Sequence, residues 1–97
     1  MVVHIVVLRL KAEAAPAQVG ELLTALRNLP AQVPGILDLD CGRNFSPGRA
    51  QGYDLGLVVR FPGQAELAAY GPHPAHQAVR RRIDALCSEV LVLDFEA

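Results

Sequence analysis

The chain has 97 residues, 52% of them hydrophobic, and a formal net charge of −1. That length fits one domain over residues 1–97, and the near-neutral charge supplies no field that would gather nucleic acid. No apolar run approaches the roughly 20 residues of a membrane span, and Met1 leads into an apolar run without a basic leader. The expectation is a cytoplasmic protein that binds neither nucleic acid nor membrane and has apolar surface left over for a partner.

The first segment, "VVHIVVLRL", is rich in β-branched residues and reads as a strand. Alternation puts His4, Val6, Leu8 and Leu10 on one face and Val3, Ile5, Val7 and Arg9 on the other, so both faces are mostly apolar. "PAQVGELLTALRNL" follows with Val19, Leu22, Leu23, Leu26 and Leu29 at helical spacing. Pro16 suits the first turn of that helix, and Pro30 is expected to end it. After a Pro34-Gly35 turn, Leu37, Leu39, Cys41 and Phe45 alternate with polar residues, as in a half-exposed edge strand. The third strand, "YDLGLVVRF", puts Tyr53, Leu55, Leu57, Val59 and Phe61 on one face.

A short helix, "QAELAAY", comes next, and then "GPHPAHQAV" opens another. Pro74 fits the first helical position with His73 at the cap. That helix is expected to run to about Cys87 with Val79, Ile83 and Leu86 inward. His76, three residues before Val79, falls on the same buried face. "EVLVLDF" closes the chain as a strand, with Leu91, Leu93 and Phe95 on one apolar face and Val90 and Val92 on the other. The order predicts an α+β, ferredoxin-like fold: a four-stranded antiparallel sheet with helices on one face and the first and third strands central. The other face needs a cover, and a symmetric homodimer joined through sheet faces would supply it. Cys41 and Cys87 sit among apolar neighbours and lack metal-pair spacing, so both read as free, buried thiols.

Taken together, "HIVVLRLK", "VPGILDLDCGRN", "GYDLGLVVRF", "LAAYGPHPAHQAV" and the final "LDF" resemble the stress-responsive A/B barrel domain (Dabb) family over nearly the whole chain. "YGPHPAH" is the most specific part, being close to that family's Y-x-x-H-P-x-H signature. The resemblance implies a dimeric α+β barrel in which two sheets pack face to face. One plant member type, olivetolic acid cyclase, closes a linear polyketide by aldol condensation. Its catalytic histidine and tyrosine match His76 and Tyr70, and its strand histidine matches His4. Leu55 and Leu26 stand where that cyclase has a further histidine and an aromatic, so its substrate is not carried over. Some members hold an ion on main-chain carbonyls after the first helix. The resemblance places these on Pro30, Val33 and Ile36, beside the plainer reading of a Pro-Gly turn. No other cofactor is implied.

Two readings of the histidines stay open. Neutral imidazole can take a proton from carbon next to a carbonyl, and a phenol can donate to the developing enolate oxygen. In that reading His76, Tyr70 and His4 are catalytic and Val6, Leu8, Leu26, Leu55, Leu57 and Val79 line a small apolar pocket for a small-molecule ligand. The chemistry would be aldol-cyclase-like lyase or related acid–base chemistry. The plainer reading is a hydrogen-bonded cluster tying helix to strand in a structural dimer. A metal site on His4, His73 and His76 lacks a carboxylate or cysteine at recognisable spacing. Arg80, Arg81 and Arg82 read as a solvated helix face, with Asp84 in reach for local pairing.

Overall fold

The computed structural model describes residues 1–97. β1 (Val2–Leu10), α1 (Pro16–Arg27), α2 (Leu29–Gln32), β2 (Asp38–Arg43), β3 (Leu55–Phe61), α3 (Gln64–Tyr70), α4 (Pro74–Leu86) and β4 (Cys87–Glu96) follow one another, with a 3₁₀ turn at Pro47–Arg49. The strands form one antiparallel sheet in the order β2-β3-β1-β4, so the first and third strands are central and β2 is an edge. This is the ferredoxin-like α+β arrangement.

The core lies between one sheet face and the helices. Val6 and Leu8 of β1 and Leu55, Leu57, Val59 and Phe61 of β3 meet Val19, Leu22, Leu23 and Leu26 of α1. The helical spacing of those four residues is what lets one stripe of α1 stay dry. Pro16 occupies the first helical turn, where its missing N–H costs nothing, and the Gln18 side chain accepts from the Ala15 N–H at 3.0 Å. On β2, Arg60 of the neighbouring β3 holds Asp38 at 2.9 Å, which keeps the polar edge paired. The chain reaches β2 through Pro34-Gly35, where φ of +95° at Gly35 suits a residue without a Cβ. Both cysteines are free thiols, with Cys87 buried and Cys41, on the edge strand, only half-buried.

Three further expectations need correction. Pro30 does not terminate the first helix: α1 already ends at Arg27, and Pro30 lies in the first turn of the separate α2, again a position that needs no N–H. Phe45 does not continue the inner face of β2. That strand stops at Arg43, the Asn44 side chain accepts from the Ser46 N–H at 2.8 Å, and the chain turns, leaving Phe45 96% exposed. Tyr53 precedes β3 for a similar reason, since its N–H donates to the Ala50 carbonyl at 3.0 Å in a turn.

β4 is the other edge of the sheet. Leu91, Leu93 and Phe95 share the helix-free face with Ile5 and Val7 and are 54%, 61% and 44% exposed. Val90 and Val92, on the helix side, are exposed as well, because the helices do not reach over this strand. No helix is long and apolar enough to cross a membrane.

Candidate functional site between helices and sheet

The turn "YGPHPAH" is held by its own backbone. The His73 N–H donates to the Tyr70 carbonyl at 3.2 Å, and His73 Nδ1 accepts from the Ala75 N–H at 3.1 Å as the cap of α4. His73 thus serves the turn. His76, one position beyond Ala75, rotates inward toward Tyr70. Its Nδ1 lies 2.9 Å from the Gly71 carbonyl, which also accepts from Gln77 Nε2 at 2.7 Å. A carbonyl can only accept, so His76 Nδ1 carries the proton and Nε2 is left as the base.

Tyr70 sits between the two histidine rings of the site. Its ring centroid is 4.1 Å from that of His76 and 6.0 Å from that of His4, with Phe61 beneath at 5.3 Å. Burial pushes the Tyr70 hydroxyl up to about 12, so this phenol stays a donor throughout the neutral range. His76 is shifted the other way. Burial lowers its proton affinity first, the Gly71 carbonyl opposes this, and the positive charge of Arg80 together with His4 and His73 adds to the lowering. His76 is therefore a neutral imidazole at pH 7.

His4 projects from β1 toward the helices and pairs through Nδ1 with Oδ1 of Asp94, its register partner on β4. With the carboxylate accepting, Nδ1 of His4 carries a proton. Sequence reasoning missed Asp94. Its signal was the alternation in "VLVLDF", which puts Asp94 with Val90 and Val92 on the helix side, but only the register shows that it faces His4.

A cavity of about 330 Å³ opens between α3, α4 and the sheet, with His4, Tyr70 and His76 in its wall. Of the expected lining residues, Val6, Leu26, Leu57 and Val79 are present. Leu8 and Leu55 are not. They pair directly across β1 and β3 one step further along the sheet, and both are sealed in the core beneath the helices. Leu67, Ile83, Val90 and Val92 complete the apolar wall, and Arg80 and Asp84 stand in it as charged groups. Arg80 is thus more than a solvated residue, and no ion pair joins it to Asp84; the basic run is instead tied down at Arg82, 3.8 Å from Glu21. A second hollow, of about 540 Å³, lies on the opposite sheet face among Ile5, Val7, Tyr53 and Val58 and contains no histidine.

The three histidines do not form a metal cluster, since no group of three His, Cys, Asp or Glu side chains is placed to hold an ion. Pro30, Val33 and Ile36 lie in and after α2, and Pro34 offers no N–H to the Pro30 carbonyl four residues before it.

The stress responsive A/B barrel domain model matches residues 2–97. The chain belongs to that family. A stress-response A/B barrel domain-containing protein of Arabidopsis thaliana is 31% identical over 68 residues, covering 70% of this chain. The chain spans about a quarter of that relative's length, 26%. Among solved structures, this A/B barrel domain is similar to At3g17210 of Arabidopsis thaliana: TM-score 0.91, 24% identity, with 100% of this chain and 95% of that one covered. It is also similar to a dimeric ferredoxin-like protein of unknown function from Thermobifida fusca. There the TM-score is 0.88 and the identity 28%, with 99% and 90% covered.

Proposed function

We propose that this A/B barrel domain is a homodimer joined through its helix-free sheet faces, whose cavity takes a small carbonyl compound for His76 and Tyr70 to act on. The observation that carries the reading is the 4.1 Å contact between the Tyr70 and His76 rings in the wall of a largely apolar cavity. A neutral imidazole and a protonated phenol side by side are a base and a donor of matched use. His76 Nε2 takes a proton from the carbon next to the carbonyl. The C–H electron pair moves into the enolate, and Tyr70 donates its hydrogen bond to the oxygen that gains the charge. The enolate carbon can then attack a second carbonyl, and the proton held on His76 Nε2 passes to that carbonyl's oxygen as the new C–C bond forms, which returns the imidazole to its neutral form. The cavity's volume speaks against a filled structural cluster. The exposed apolar row of Leu91, Leu93 and Phe95 and the dimeric Thermobifida fusca neighbour support the assembly. The unpaired Cys41 and Cys87 support a reducing, cytosolic setting.

The test is deuterium exchange into the α-carbon of 2,4-pentanedione, followed by NMR. The wild-type protein accelerates it, His76→Ala removes the acceleration, and Tyr70→Phe reduces it by about 10²-fold while the fold persists. Acceleration that survives His76→Ala would overturn the assignment.

A further inference from the structure

We propose that the ligand of this cavity also carries a carboxylate, received by Arg80, one helical turn along α4 from His76. The inference rests on the carbonyl-binding reading and adds the second recognition element. Arg80 stands in the cavity wall, whereas its neighbour Arg81 does not. Arg9, Arg60 and Arg82 each have a carboxylate partner, and Arg80 has none. Its planar guanidinium is therefore free for two parallel hydrogen bonds to an incoming carboxylate.

Asp84 shares the same wall and is the natural objection. It is itself unpaired with Arg80, but Lys11 Nζ reaches the Asp84 main-chain carbonyl at 3.4 Å, which places a second cation beside it. Asp94 lies behind His4 and does not line the cavity. With Arg80 and Lys11 against the single carboxylate of Asp84, the surroundings are net positive and favour an anion over a neutral group. The apolar wall, with Val79 and Ile83 on α4 and Val90 and Val92 on β4, suits an uncharged linker. The length of that linker follows from the helix. His76 and Arg80 are four residues apart on α4, a rise of about 6 Å, so a carbonyl and a carboxylate separated by an aromatic ring match the two groups.

The experiment compares 4-acetylbenzoate with 4-methylacetophenone, a neutral ketone of the same shape, by calorimetric titration of the full chain. The acid is expected to bind about tenfold more tightly, the scale of one charge-assisted contact. Arg80→Gln removes that preference, so that the two compounds bind alike, and Asp84→Asn increases it. Because Arg80 is exposed, the variant keeps the fold, which far-ultraviolet dichroism checks. Equal binding of the two compounds by wild type, or a preference that survives Arg80→Gln, overturns the Arg80 assignment and leaves the carbonyl pocket standing. If neither compound binds, the pocket reading falls and this inference with it.

Discussion

At the residue scale, the site is a matter of which nitrogen keeps its proton. Gly71 claims Nδ1–H of His76 and leaves its Nε2 as the basic atom, while Asp94 accepts from Nδ1 of His4. His76 also carries a consequence for stability. Its folded proton affinity lies below the ordinary value of 6.5, so the unfolded chain binds the proton first as pH falls. The stabilisation is present above pH 6.5 and is lost as pH drops through the folded value. Urea unfolding at about pH 5 and about pH 7.5 should show wild type losing more stability on acidification than His76→Gln. Equal losses would show that His76 is as well solvated folded as unfolded.

At the element scale, α4 shows how a local motif sets a site. Pro74 pre-sets the first turn, His73 caps it, and the helix then presents His76, Val79 and Ile83 on one face. His73→Ala should cost about 0.5–1 kcal/mol, the usual scale of a lost N-cap, and lower the melting temperature by a few degrees. His73→Asn, which can accept the same bond, should recover most of it. An unchanged melting curve for the alanine variant would show that the prolines alone hold the turn. All of this was legible in "YGPHPAH" because caps and helical periodicity depend only on neighbours in the chain. Pro30 was misread on the same local logic. Proline is accepted in a first turn as readily as it ends a helix, and nothing in the nearby residues says which applies.

At the scale of the whole molecule, the proposed dimer turns on the uncovered sheet face. Ile5 and Val7 continue into the exposed Leu91, Leu93 and Phe95, and one copy has nothing else to lay over them. A second copy related by a two-fold axis presents the same row and can bury it. Val7→Asp should place an unpaired charge in that seam and yield a monomer or an aggregate, while wild type sediments as a dimer at micromolar concentration. A wild-type monomer would show that the apolar row stays wet.

The sequence by itself determined the four strands and the three longer helices, though not α2, along with the inward stripe of α1, the central place of β1 and β3, and the inward side of His76. The faces follow from a period of 2 or 3.6 residues, a local property, and the central strands follow from the order of elements along the chain. Tertiary structure decided what those elements bring together. Strand register put Asp94 opposite His4, and the position of α4 over the sheet brought Arg80 into the cavity wall. The reach of the helices left Val90 and Val92 lining the cavity while Leu8 and Leu55 are sealed in the core. Register and helix placement are set by the packing of many distant side chains at once, each contact weak alone, so no short stretch of chain carries them.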